Sequence, residues 1–354
     1  MHVHIDFETK SACDLKKCGA DIYARHESTD VWCMAYAFDD EEPELWVNKP
    51  GTAPIDVLLA VENGATIMAH NAPFELAIWN RALVKKYGWP ELNPDNVICT
   101  MAMAYAMAIP ASLEKAAFAL GVDQKKDMVG SRIAVQLSQP RKINPDGSIV
   151  WWDDAEKFKI LYEYCKQDVR VEQELFKRMM LLTPQERKIW ALDYKINQRG
   201  VYVDIPSAKK AIKLVEAEKW RLNNRMRAIT QNQVATCNAV GQLIDWLRTK
   251  GVAVDSVAKA SLTDLLATSS LPPECREALL IRQEAAKSST AKLEAMINGT
   301  HIDNRSRGLF QYHGANTGRW AGRRIQLQNL PRPNLSQAQI DEVFNLLEET
   351  VYEN

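Results

Sequence analysis

The chain has 354 residues, 46% of them hydrophobic and 25% charged, with a formal net charge of −1. Such proportions belong to globular proteins and exclude fibrous, low-complexity and disordered classes, and the length suits about two or three domains. No stretch approaches the roughly 18 apolar residues of a bilayer span, and MHVHIDFETK carries no signal-peptide pattern. Seven cysteines without a CxxC pair support neither a zinc knuckle nor a disulfide framework. The expectation is a protein of a reducing cytoplasm, without a membrane partner.

The small net charge conceals an asymmetry. Residues 1–180 carry a balance of −7, residues 181–330 a balance of +10, and residues 331–354 a balance of −4. An acidic first half before a basic middle is what a carboxylate-rich site acting on a polyanion would need.

In chain order, HVHIDF (2–7) alternates as a half-buried strand does, and VWCMAYAF (31–38), ELWV (44–47) and TIMAH (66–70) read as further strands. Asn71 is placed as the N-cap of a helix that has Pro73 in its first turn and closes at Gly88. VICT (97–100) reads as a strand, and 112–121 as a helix capped by Ser112. NPDG (144–147) is a turn, and a long helix starts at Asp153 or Asp154 and runs to about Met180. Strands followed by alternating strand and helix predict an α/β domain over 1–182. TPQE (183–186) is a capping box. The chain from there to about 299 is predicted mostly helical, followed by a poorly periodic Gly-, Arg- and Gln-rich segment and a short acidic helix.

Three acidic features stand out. Asp6 and Glu8 lie two apart near the predicted end of the first strand, so both side chains share one face. Glu75 sits in the first turn of the helix after TIMAHN. Tyr164 and Asp168 are four apart on the long helix. Alone, each reads as solvated surface charge or helix-end electrostatics. Together, four carboxylates from three elements converge only if divalent cations offset their repulsion, and oxygen ligands suit Mg²⁺ or Mn²⁺. Two such ions could activate water and stabilise the leaving oxygen of a phosphoryl displacement.

The segments DFET (6–9), HNAPFE (70–75) and YCKQD (164–168), in this order, resemble the three exonuclease motifs of the DEDD superfamily, in the subgroup with tyrosine in the third motif. The resemblance covers about 180 residues. It implies a ribonuclease-H-like fold, stepwise hydrolysis from a 3′ end, and Asp6, Glu8, Glu75 and Asp168 as ligands of two divalent cations, with Tyr164 orienting the attacking water. Glu75 replaces the superfamily's usual Asp, which leaves direct and water-mediated contact to the second ion both open. Asn71 and Phe74 also match and would shape the pocket. His4 is expected to be packed or on the surface, and His70 to support the Asn71 turn.

LDYKINQRGVYVD (192–204), IRQEAAKSSTAKLEAM (281–296) and TGRWAGRRIQLQNLPRP (317–333) resemble the thumb and the palm entry of family A DNA polymerases. The resemblance implies DNA contacts by Arg282, Lys287 and Lys292 on the thumb. Arg319, Gln328 and Asn329 would donate to minor-groove acceptors common to all base pairs, and Arg323 and Arg324 would hold phosphates. Trp320 reads equally as core or as a stacking group. The family's metal-binding palm strand and later motifs are not seen before Asn354, and Asp341 lies in a predicted helix.

The expected organisation is therefore an α/β ribonuclease-H-like exonuclease domain (1–182), a mainly α-helical thumb-like region (183–300) and the truncated start of a palm (301–354). The expected function is proofreading 3′–5′ exonuclease action for a family A DNA polymerase, without polymerase activity in this chain alone. Its partners would be single-stranded 3′ ends, primer–template DNA, and a second chain supplying palm and fingers. The alternatives are a non-catalytic DNA-binding replisome scaffold with a vestigial site and a stand-alone repair nuclease.

Overall fold

The computed structural model describes residues 1–122, 127–267, 270–286, 290–315, 317–330, 332 and 334–349. They fall into two compact units, one within residues 1–202 and 298–329 and the other within residues 203–297 and 330–349.

The first unit is built on a five-stranded sheet. Its strands are β1 (His2–Lys10), β2 (Asp30–Phe38), β3 (Glu44–Val47), β4 (Thr66–Ala69) and β5 (Val97–Cys99), in the order β3-β2-β1-β4-β5. The β1/β2 and β2/β3 pairs are antiparallel, and β1/β4 and β4/β5 are parallel. Alternation along β1 sends Val3, Ile5 and Phe7 into a core shared with Leu76, Ile78 and Trp79. Cys33, Ala35 and Ala37 of β2 meet Cys165 and Val169 of the long helix Ala155–Arg178 on the other face. Such small side chains let a helix lie close to a sheet.

β1 is longer than the alternation suggested. A bulge between Glu8 and Thr9 lets pairing resume at Thr9↔Val31 and Lys10↔Asp30, so Asp6 and Glu8 lie within the strand rather than at its end. The helix after β4 is not uniform: Ala72–Ala77 is α-helical, Ile78–Leu83 forms a π-turn, and Val84–Tyr87 closes on Gly88 at φ 67°. Asn71 precedes it with φ 69°, but its side chain makes no capping bond, because the left-handed backbone already turns the chain. Ser112, Asp154 and Thr183 cap as expected, accepting from the backbone N–H groups of Lys115, Lys157 and Glu186. NPDG turns the hairpin of β6 (Lys142–Ile143) and β7 (Ile149–Val150). Helices Ile55–Glu62, Thr100–Ala106 and Met128–Leu137 were not anticipated.

The compact units do not follow the divisions expected at 182 and 300. Helix Pro184–Arg199 places Trp190, Ala191 and Tyr194 in the sheet's own core, and Tyr312 from the returning segment joins them. Val201–Tyr202 pairs with Arg305–Ser306, and Phe310–Gln311 with Ala321–Gly322. The second unit is helical, as expected for this stretch. Leu222, Met226, Leu243, Trp246, Leu247 and Leu279 form its core, and helix Gln337–Glu349 belongs to it. Among the described residues no helix is long and apolar enough to cross a membrane.

Gly200 closes the junction of helix Pro184–Arg199 with its following strand at φ 69°, ψ 177°, a region essentially restricted to glycine. A Cβ there would stand 2.7 Å from the Ser306 carbonyl oxygen. Gly200→Ala should therefore destabilise the first unit by about 1–3 kcal/mol in denaturant unfolding, and an unchanged midpoint would refute the constraint.

Candidate active site

Three segments bring acids toward one another: among the described residues Asp6 and Glu8 are the carboxylates that lie close enough to share an ion, while Asp168 acts on both through its charge and Glu75 feels the charge of Asp6. The β1 pleat directs Asp6 and Glu8 to the face covered by the long helix. There the carboxylate oxygens of Asp6 and Glu8 and the thiol of Cys165 lie within 4.8 Å of one another. Cys165 Sγ donates toward Asp6 Oδ2 at 3.5 Å and the Asp6 carbonyl at 3.4 Å. Glu75 enters from the helix that follows β4, β1's parallel neighbour, and is 5% exposed. Tyr164 and Asp168 come from the long helix, with Glu172 one turn further along the same face.

The electrostatics are those of buried acids whose hydrogen bonds only partly offset their burial. Burial, then the charge of Asp168, drives the Asp6 carboxyl well above the ordinary range. Burial, then Asp6, does the same to Glu8 and to Glu75. Burial pushes Asp168 up to about 7, opposed by a hydrogen bond from Tyr164 and reinforced by Asp127. The Tyr164 phenol is raised by burial and by the Asp168, Glu8 and Asp6 charges, so it remains a neutral donor. Glu75 Oε2 is buried without a hydrogen-bond partner, an orphaned acceptor that ordinarily marks a missing cation, water or donor.

Surrounding residues fix this geometry. Buried His4 donates to Glu172, also buried, so of the two expected places, packed or at the surface, His4 takes the packed one. His70 lies between Thr100 Oγ1 (3.2 Å) and the Ala111 carbonyl (2.7 Å), tying the Asn71 turn to the chain beyond β5. Asp127 caps helix Met128–Leu137 through the Gly130 N–H at 2.7 Å. Gly130 lacks a Cβ where one would meet the Tyr164 ring at 2.6 Å. A cavity of about 180 Å³ opens beside Tyr164 and Asp168, lined also by Leu113, Asp127, Ser131 and Gln167.

Cys165, Glu172 and Asp127 were not singled out in the sequence. The spacing Tyr164–Asp168–Glu172, four and four, was the available signal for Glu172.

The remaining candidates separate by unit. Asn71 is exposed and the Phe74 ring lies against Tyr23 at 6.1 Å, both in the turn that delivers Glu75. Arg319, Arg323, Gln328 and Asn329 are exposed on the segment that returns to the first unit. Arg324 corrects the expectation of a phosphate contact. Its backbone is left-handed (φ 49°) and its guanidinium turns inward to the Cys18 carbonyl, over the open space of Gly19. Trp320 is 43% exposed and its indole N–H donates to Asp193 at 2.7 Å, so it is not core. Arg282 and Lys292 are half-buried in the second unit, Arg282 donating to Asn238 at 3.2 Å. Lys287 lies outside the described residues.

No family model matches the chain. It is 35% identical to a DNA polymerase of Bacillus phage SP02, over 99% of this chain and 54% of that polymerase. The chain is related to a phage DNA polymerase. The POL domain of Pol1 from M. smegmatis, solved with DNA primer-template and dNTP, shares its fold with a TM-score of 0.55. That match has 16% identity over 95% of this chain and 53% of that one. The chain thus spans about half the length of each.

The raised carboxyl of Asp168 makes a pH prediction with a definite sign. Between about 4, where an unfolded Asp titrates, and about 7, the folded protein holds a proton that the unfolded chain has released. The corresponding stability is present at low pH and lost as pH rises through that window. In chelator, Asp168→Asn should therefore become progressively more stable than wild type from pH 4 to 7 in thermal melts. A wild type that gains on the variant over that range would contradict the assignment.

Proposed function

We propose that the first unit is a metal-dependent 3′–5′ exonuclease that removes 3′-terminal deoxynucleotides as monophosphates, the proofreading part of a DNA polymerase. The observation that carries this reading is the convergence of Asp6, Glu8, Glu75 and Asp168 from three segments, each carboxyl driven upward and Glu75 Oε2 left without a partner. The relationship to a phage DNA polymerase supports it.

This donor set fits hard divalent ions, since every strong ligand in it is a carboxylate oxygen. Asp6, Glu8, Glu75 and Asp168 would hold two of them, Mg²⁺ or Mn²⁺. When bound, such ions supply a polarised water and neutralise charge on the departing oxygen. The protein's own groups do the rest. Tyr164, kept as a neutral phenol, donates a hydrogen bond at the Asp168 side of the site and orients water there. Cys165, whose thiol burial keeps protonated, steadies Asp6. The Asp168 cavity is small, about 180 Å³, which suits an unpaired terminus better than a duplex. Arg319, Arg323, Gln328 and Asn329 are exposed where they could meet a DNA backbone and minor groove. Arg282 and Lys292 of the second unit are proposed as further phosphate contacts.

The test is release of labelled mononucleotide from a 3′-labelled single strand, with Mg²⁺ and with chelator. Asp6→Ala and Asp168→Ala should bring release to background while the thermal midpoint stays native-like. Tyr164→Phe should slow it roughly 10–100-fold, the usual cost of losing a group that orients a metal site. Metal-dependent release by either Asp variant, or binding of DNA without any consumption by wild type, would refute the nuclease.

A further inference from the structure

A second cluster adjoins the carboxylates within the first unit. Lys10 follows Asp6 and Glu8 on the same face of β1, about 7 Å beyond Glu8 at two residues of strand rise. The β-bulge makes Trp32 the extra residue of β2, lying between the Glu8↔Cys33 and Thr9↔Val31 pairs. Bulges re-aim side chains, and Trp32 meets Phe158 of the long helix at 4.8 Å. The Lys10 ammonium sits 3.8 Å from the Trp32 ring centre and 5.3 Å from that of Trp151. Trp152 continues the surface under Lys157 at 4.7 Å and Arg141 at 5.7 Å.

Two features distinguish this cluster from ordinary hairpin packing. First, among the described residues no carboxylate comes within ion-pair range of Lys10. The acid whose field it feels, Asp30, is engaged by Lys86 and by the Tyr87 hydroxyl. Second, the indole N–H groups are satisfied internally, Trp32 to the Leu137 carbonyl (3.0 Å) and Trp152 to the Gln139 carbonyl (3.1 Å). The Trp32 and Trp152 rings are thus fixed in orientation, and none of the three indoles is fully buried. Fixed aromatic faces interleaved with cations bind unstacked bases and the backbone that joins them.

We propose that Lys10, Trp32, Trp151 and Trp152 form a docking platform for single-stranded DNA beside the carboxylate cluster, Lys10 holding a phosphate and the indoles stacking bases. This deepens the exonuclease reading by naming where the strand leading to the cut is held. A duplex is disfavoured because its bases are already stacked on one another.

Anisotropy of labelled oligo(dT), titrated in chelator over a salt series, tests the platform without any cleavage. Lys10→Met should weaken binding and flatten the dependence of log K on log salt by roughly 0.7, the single-strand value for one phosphate, and Lys10→Arg should restore both. Trp152→Leu should weaken binding about 5–100-fold by loss of stacking with the salt slope unchanged. Native-like melting of the Lys10 variants keeps the test valid should Trp152→Leu fail to fold. Affinity and slope indifferent to Lys10→Met would overturn the platform, as would equal binding of blunt duplex or tighter binding of oligo(rU). Because no hydrolysis is read, a protein that binds as described but never cleaves would sink only the nuclease, whereas one that cleaves but binds indifferently to Lys10 would sink only the platform.

Discussion

Mutual repulsion among desolvated carboxylates is the constraint around which the first unit is organised. Isolated charges are costly to bury, and here burial first raises the proton affinity of Asp6, Glu8, Glu75 and Asp168, with Asp168 adding to Asp6 and Asp6 adding to Glu8 and Glu75. The hydrogen-bonded pair of His4 and Glu172 lies in the same layer, yet the Glu172 charge still bears on Asp6 and Glu75. A fold that tolerates this spends stability from elsewhere, as functional sites commonly do.

That stability comes from how the elements are fitted. Small residues on β2, together with Cys165 and Val169, let the long helix approach the sheet closely enough to present Tyr164 and Asp168 to β1. Behind β1, Phe7 meets Trp79 and Trp89, a dense aromatic core that holds the strand's other face in place. The left-handed Asn71 turn then sets Glu75 at the start of its helix, where a carboxylate is favoured by the helix dipole. The same pleat that aims Asp6 and Glu8 aims Lys10, so acids and the cation that follows them share one geometric cause.

The charge asymmetry along the chain takes on meaning at this level. The acids concentrate within the sheet unit. The basic stretch is divided, part in the returning segment of that unit and part in the helical second unit. Arg323 and Arg324 show how little a charge count says by itself. Adjacent in sequence, one is exposed and the other spans the gap above Gly19 to reach a backbone carbonyl.

Local pattern was sufficient for the strands around Asp6 and Glu8 and for the caps at Ser112, Asp154 and Thr183, because these depend on alternation and capping chemistry over a few residues. The order and residue types of the acids are likewise visible in one dimension, which is what made them candidates. What only the folded chain decided were matters of partnership. Periodicity marks that a face is buried but not against what, so helix Pro184–Arg199 could not be assigned to the sheet's core, nor Cys165 and Glu172 to the acid cluster. A bulge shifts register by one residue without a sequence signature, and so Trp32 beside Lys10 became apparent only once β1 and β2 were paired.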